Sequence, residues 1–153
     1  MNNSTKIKKQ ILDKIISIID ERIESTKLAI ASAKESRDNE TKCSSGDKYE
    51  TGRTMMNFEL EKIRVLLNKT LSTKNDLLQI DLHKKHDKVT FGSLVFTSSG
   101  NYFISIAIGK IEVANDTFYS ISLASPIGKL LNNKTKDDKF SFQNREITIL
   151  KIV

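Results

Sequence analysis

Apolar residues recur at alternating steps of four and three along two stretches of the first half of the chain. The first row is Leu12, Ile16, Ile19, Ile23, Thr26, Ile30 and Ala33. The second row is Met56, Leu60, Ile63, Leu67, Thr70, Lys74 and Leu77. This spacing is typical of heptad seams, so it predicts two long α-helices that each present one narrow stripe to a partner helix.

The two rows share one antiparallel register. Facing positions in an antiparallel hairpin have a nearly constant sum of residue numbers, and Ala33 with Met56 gives 89 while Ile23 with Leu67 gives 90. The centre of this register falls near residues 44 and 45, next to Gly46. We therefore predict a coiled-coil hairpin over residues 1–82 with its tip at about 38–53. Arms of about 33 residues at 1.5 Å per residue would be on the order of 50 Å long.

The pattern changes at about Lys88, where short runs rich in β-branched and aromatic residues begin. Predicted strands cover residues 89–91, 93–97, 102–108, 118–123, 139–142 and 147–152. A short helix over 125–131 is predicted from Ser125 as the N-cap and Pro126 at the first helical position. The sequence thus predicts an α+β fold: the hairpin, a linker at 83–87, and a small domain at 88–153 with an antiparallel sheet and one short helix.

Charge and composition narrow the class of protein. The 153 residues carry a formal net charge of +6, divided evenly between residues 1–87 and 88–153. A spread positive charge of this size favours a polyanionic neighbour, and it also keeps a small domain soluble. The single Cys43 cannot form an internal disulfide and fits a reducing cytoplasm. The apolar stretch at Ile15–Ile19 is too short to cross a bilayer.

The predicted tip holds the main candidate for chemistry. Asp47 and Glu50 are three residues apart at the start of the second helix, so their Cβ atoms should lie about 5–6 Å apart on one face. Two carboxylates so placed can share Mg²⁺ with phosphate and water. The same spacing fits a capping box with Asp47 as the cap. Both interpretations can hold together.

Other candidate groups are weaker. His83, His86 and Asp87 form an H-x-x-H-D sequence that could bind a metal. The helix that starts at Ser125 could receive an anion, although simple capping explains the same residues. Cys43 has no histidine close to it in the sequence, and the chain lacks the motifs of phosphate-binding loops, dinucleotide-binding folds and serine hydrolases.

Three motifs in order along nearly the whole chain resemble the Gre transcript-cleavage factors of bacterial RNA polymerase, GreA and GreB. They are Gly46-Asp47-Lys48-Tyr49-Glu50 at the hairpin centre, Ser125-Pro126-Ile127-Gly128-Lys129-Leu130-Leu131-Asn132-Asn133-Lys134, and Asp138-Lys139-Phe140. The resemblance implies that the C-terminal domain is similar to the FKBP fold, without the isomerase site, and grips the rim of the polymerase's secondary channel. Within that domain, the resemblance makes Ser125, Pro126, Ile127 and Gly128 candidate polymerase contacts.

The resemblance also implies a mechanism. The coiled coil would enter the secondary channel, where Asp47 and Glu50 would help to hold a second Mg²⁺ in the polymerase's own active site while backtracked RNA is hydrolysed. The chain would then be a stimulator and not itself an enzyme, with no cofactor of its own. Its partners would be RNA polymerase, the nascent RNA 3′ end and DNA within the complex. We expect a cytoplasmic monomer without membrane contact.

Basic residues below the tip have two interpretations. Lys27, Lys34 and Arg37 could contact nascent RNA, or they could form an ordinary solvated helix face.

Two alternatives to transcript cleavage remain open. The family commonly has Leu-Ser between the two acidic residues, whereas this chain has Lys48-Tyr49, and Arg53 follows. Residues 38–53 carry four acidic and three basic side chains, so the tip is only weakly acidic. A Gre-like protein that occupies the channel without cleavage fits this tip. The heptad rows alone would also fit a coiled-coil adaptor or a chaperone-like protein unconnected with transcription.

Overall fold

The computed structural model describes residues 2–42 and 46–153, without the side chains of residues 40–42 and 46–49. The chain forms two compact units, which we call the helical unit and the sheet unit. The helical unit is Ile16–Leu78, and the sheet unit combines Met1–Ile15 with Gln79–Val153. The division into 1–82, 83–87 and 88–153 follows the sequence pattern and stays a prediction. Cys43 lies outside the described residues.

Two long helices account for the first half of the chain. Helix α1 is Asn3–Lys42 and helix α2 is Gly46–Leu78. Within the described residues they contain glycine only at Gly46 and Gly52 and no proline, so no helix breaker interrupts either of them beyond the first turns of α2. The prediction of two long N-terminal helices is confirmed.

Burial in the helical unit follows the predicted heptad rows. Between residues 21 and 39, the side chains that are not fully exposed are Ile23, Thr26, Ile30, Ala33 and Arg37. Between residues 50 and 78, those positions are Gly52, Met56, Leu60, Ile63, Leu67, Thr70, Thr73, Lys74 and Leu77. Each helix therefore buries one stripe at the spacing that a two-helix hairpin requires.

Polar groups at the seam are satisfied locally or across the pair. The Thr26 hydroxyl donates to the Arg22 carbonyl at 2.7 Å, which leaves its methyl group free to pack. The Lys74 ammonium of α2 lies 2.6 Å from the Asp20 carboxylate of α1. This ion pair joins the two helices within the helical unit.

The sheet unit contains a six-stranded sheet and one short helix. The strands are β1 (Leu94–Thr97), β2 (Asn101–Ile104), β3 (Gly109–Val113), β4 (Asp116–Ile121), β5 (Lys139–Phe142) and β6 (Arg145–Ile152), and α3 is Pro126–Leu131. The strand order is β3-β4-β2-β1-β6-β5. Together with the two long helices, these elements confirm the predicted α+β class.

The prediction of an antiparallel sheet is wrong for one pair of strands. β2 and β4 are parallel, with Tyr102 opposite Tyr119. The cause is the hairpin of β3 and β4. Strand β3 lies at the sheet edge and is antiparallel to β4, so the chain reverses direction after β3, and β4 then runs parallel to its other neighbour, β2.

Two predicted strands also differ from the observed ones. The predicted strand at 102–108 ends at Ile104, and β3 lies where no strand was predicted. Residues 89–91 form no strand, since only the neighbouring Lys88 makes an isolated bridge, to Thr135.

Apolar side chains fill both faces of the sheet. One face packs a cluster of Val95, Ile104 and Ile149 against Leu131 of α3. On the other face, Lys151 lies over the Phe96 ring and donates to the Ser4 hydroxyl of α1 at 2.9 Å. The first turns of α1 therefore lie against this second face, and Ile11 and Ile15 of the same helix are fully buried.

Candidate functional site

The candidate acidic pair lies at the beginning of α2. The helix begins at Gly46, so Asp47 is its second residue and Glu50 its fifth. Residues three apart on a helix share a face, and the Glu50 side chain is exposed. The Asp47 side chain lies outside the described part of the chain. The capping-box interpretation depends on that side chain and on residues 43–45, all of which lie outside the described part of the chain, so it stays a prediction.

Asp47 and Glu50 alone provide fewer oxygen ligands than Mg²⁺ takes. Carboxylate oxygens are ligands that Mg²⁺ prefers, and Mg²⁺ usually takes one or two of them together with water and phosphate. Among the described residues, no three His, Cys, Asp or Glu side chains come together in a way that could hold a metal ion. The side chain of Asp47 is not among them, so the number of ligands that the chain offers beside Asp47 and Glu50 stays a prediction from the sequence.

The basic residues below the tip do not form one uniform face. Lys27 and Lys34 are exposed and seven residues apart, so they lie on the same side of α1. Lys27 lies 3.5 Å from the Glu24 carboxylate. Arg37 instead continues the half-buried seam row, and its guanidinium lies 3.5 Å from Asp38. Lys27 and Lys34 fit a role at a polyanion better than Arg37 does.

The Ser-Pro-Ile-Gly motif has a complete structural explanation in α3. The Ser125 hydroxyl accepts a hydrogen bond from the Gly128 N–H at 3.0 Å and donates to the Ser122 carbonyl at 2.7 Å. Pro126 occupies the first turn, where its missing N–H costs nothing. A Cβ at Gly128 would lie 2.0 Å from the Ser122 carbonyl oxygen. Capping and close approach thus account for three of the four residues, while Ile127 packs against the core.

The H-x-x-H-D sequence does not assemble a metal site within the described residues. The His83 N–H donates to the Asp81 carboxylate at 2.9 Å, and the His86 ring lies 3.0 Å from the Thr90 hydroxyl. Burial and the nearby Lys8 ammonium lower the pKa of His86 below its usual value.

Lys8 is a residue whose importance the sequence did not reveal. Its side chain is 0% exposed, and its ammonium donates to the Val153 carbonyl at 3.4 Å. Burial lowers the pKa of Lys8 to about 8, against a partial opposing effect of Asp81. Lysine at position 8 does not belong to the predicted heptad row, so no pattern in the sequence marked it as buried.

Comparisons with known proteins add little to this site. No protein-family model matches the chain, and no curated protein matches it significantly. A solved structure of the transcription factor Gfh1 is similar over 96% of this chain and 94% of that one, at 18% identity and a TM-score of 0.34. A likeness at this level carries no functional argument, so any function has to be argued from the residues themselves. No helix in the described part of the chain is long and apolar enough to span a membrane.

Proposed function

We propose that this protein is a transcription elongation factor that binds RNA polymerase through its secondary channel and stimulates hydrolysis of backtracked RNA. The observation that carries the proposal is the Gly-Asp-x-x-Glu sequence at the start of α2, with Glu50 exposed, in a helix pair that buries one seam. The Ser-Pro-Ile-Gly motif of α3 supports it, because the same chain combines both motifs in the order found in Gre factors.

The length of the two helices supports the proposal. At 1.5 Å per residue, the 33 residues of α2 extend about 50 Å. A two-helix pair buries little surface per residue, so stability alone does not explain such length. A narrow arm of this length can enter an opening that a compact domain cannot.

The acidic pair supplies oxygen ligands at the end of that arm. Mg²⁺, when bound in the polymerase, would stabilise charge on the attacking and leaving oxygens of the RNA phosphate. In our proposal, Asp47 and Glu50 present carboxylates from a single helix face, and their backbone fixes the separation between them. The chain would take part in the reaction through these ligands alone, and the polymerase would remain the enzyme.

A transcript-release assay tests this proposal. Protein added to a stalled, backtracked polymerase complex should release short 3′ RNA fragments. Asp47→Asn with Glu50→Gln should slow release on the order of 100-fold, because the Mg²⁺ that would stabilise the developing charge loses two carboxylate ligands. The double variant should also need more Mg²⁺ to reach half of its maximal rate.

A matched control separates the pair from general charge loss. Glu21→Gln with Glu24→Gln removes two exposed carboxylates at the same spacing elsewhere in the helical unit. This control should release fragments at the unmodified rate. No fragments from the unmodified protein, or equal rates for the Asp47 and Glu50 variant, would reject the cleavage role.

A second candidate function is channel binding without cleavage. Lys48 lies between the two acidic residues and Arg53 follows them by less than one turn, so the local charge opposes cation binding. Such a protein would compete with an authentic cleavage factor for polymerase and release no RNA. Competition without release would favour this function over the first.

A further inference from the structure

A cavity of about 460 Å³ lies within the sheet unit, at the start of α1. Its walls come from three parts of the chain: the first turn of α1, the segment at residues 82–87 and the end of β6. The polar residues that matter here are Ser4, Thr5, Lys84, Lys85, His86 and Lys151. None of them belongs to the acidic pair or to the Ser-Pro-Ile-Gly helix.

The cations around this cavity are not neutralised. Within the described residues, no carboxylate lies within salt-bridge distance of Lys84, Lys85 or Lys151. Among the described residues, the partners of Lys151 are the Ser4 hydroxyl and the Phe96 ring. Among the described side chains on the cavity wall, Asp87 supplies the carboxylate, and Val153, with its backbone oxygen, lies on the same wall.

The cations also repel one another. The Lys84 charge contributes to lowering the pKa values of both Lys8 and His86, and the Lys8 charge adds to the effect on His86. Asp81 and Asp87 oppose the effect on His86 without cancelling it. A bound anion would relieve this repulsion, which favours anion binding at the cavity.

The start of α1 adds neutral donors on the same wall. The first N–H that closes a helical bond is that of Lys6, which donates to the Asn2 carbonyl at 3.0 Å. The N–H groups of Asn3 and Ser4 precede it and have no intrahelical acceptor within the described part of the chain. Ser4 and Thr5 line the cavity, so these donors and the helix dipole favour the same sign of charge as the lysines.

A second cavity continues the basic surface. It has a volume of about 440 Å³, shares the segment from Lys84 to Asp87 with the first, and adds Lys88, Thr90 and Thr135. Lysines therefore line two adjoining cavities along one segment. Such an arrangement suits several linked anions better than a single ion.

We propose that these two cavities form a binding site for a ligand with two or more linked phosphate groups. Lys84, Lys85 and Lys151 would contact the phosphates, with the N–H groups at the start of α1 as further donors. The phosphates could belong to a nucleic-acid backbone or to a free polyphosphate such as a nucleotide. The proposal does not depend on transcript cleavage, because it uses residues of the sheet unit alone.

Binding of three probes to the full chain tests the proposal. The probes are a labelled single-stranded RNA 12-mer, inorganic tripolyphosphate and polyglutamate. RNA or tripolyphosphate should bind, and Lys84→Gln with Lys85→Gln should weaken that binding roughly tenfold. For RNA, the slope of log K against log salt concentration should become shallower by about 0.7 for each phosphate that the variant no longer neutralises. Both lysines are exposed, so folding should be unaffected.

The control variant removes the same charge from the same unit. Lys110→Gln with Lys139→Gln changes two exposed lysines that pair with Glu112 and Glu146, and it should alter binding less than twofold. Amide shifts at Ser4, Thr5 and residues 84–88 should locate the bound probe. Saturation by tripolyphosphate assigns a free phosphate ligand, and binding of RNA alone assigns a nucleic-acid backbone. No binding of either, equal binding of polyglutamate, or equal weakening in the control would overturn the proposal.

Discussion

The helical unit and the sheet unit bury their apolar residues in different ways. In the helical unit, one stripe on each helix is buried, and it includes Thr26, Ala33 and Lys74 as well as larger apolar residues. In the sheet unit, both faces of β1 are buried, with Leu94 on one side and Val95 on the other. The helical unit therefore depends on a narrow buried stripe, and the sheet unit depends on a compact core. The destabilisation caused by a core substitution should consequently spread over different parts of the chain in the two units.

The largest loss of stability is expected from truncating a buried leucine of the helical unit, and it tests whether the two units are packed independently. Leu60 is 2% exposed, and Leu60→Ala should cost about 2–5 kcal/mol by leaving a cavity in the seam. Because the stripe is narrow, the destabilisation should stay local. Hydrogen exchange should show faster amides in α1 and α2 of the helical unit, with the amides of β1, β2 and β6 still protected.

Leu66→Ala is the matched control for Leu60. Leu66 is also in α2 but is 54% exposed, so its truncation should change stability by less than about 1 kcal/mol. An equal decrease of protection in the sheet unit after Leu60→Ala would contradict the separation of the two units.

A smaller effect concerns the buried lysine of the sheet unit. The pKa of Lys8 is lowered to about 8, from a usual value near 10.4 in an unfolded chain. Between these values the unfolded chain binds more protons than the folded one, so stability should rise as pH increases from about 8 to about 10. Lys8→Met keeps the apolar stem and removes the charge, so this rise should be smaller in the variant. Urea unfolding at pH 7.5 and pH 10 measures it, and identical pH dependence in both proteins would show that Lys8 is not the cause.

The smallest effect concerns the ion pair between the helices. Lys74 and Asp20 lie 2.6 Å apart but remain partly exposed, so their coupling should be about 0.2–1 kcal/mol. A double-mutant cycle with Lys74→Met and Asp20→Asn would measure it, and 1 M salt should reduce it. A coupling above about 2 kcal/mol would mean that the seam depends on this charge pair more than on its apolar row.

The sequence predicted the helical unit better than the sheet unit, for a physical reason. A heptad row is a local pattern, so Ile23 and Leu60 could be assigned to the seam from spacing alone. Strand order depends on distant partners, and nothing local to Tyr102 and Tyr119 indicates that they are neighbours on parallel strands. Strand β3 was missed because Gly109 and the charged Lys110 and Glu112 weaken its β pattern.

The candidate sites were also predictable only where residues close in the sequence determine them. The positions of Asp47 and Glu50 at the start of α2 follow from the sequence, because the helix period and the neighbouring Gly46 are both local signals. The cap of Ser125 on α3 was predicted for the same reason and is confirmed. The burial of Lys8 and the cavity beside Lys84 and Lys85 depend on α1, the 82–87 segment and β6 meeting in space, which no local pattern indicates.

The central claim, that the start of α2 reaches the polymerase's catalytic centre, can be tested through the only cysteine of the chain. An iron chelate attached to Cys43 produces hydroxyl radicals that cut nearby protein and RNA. In a complex with backtracked RNA polymerase, we predict cuts beside the polymerase's active site and near the RNA 3′ end. Cuts confined to the outer surface of the polymerase, or none above those of free chelate, would contradict the account.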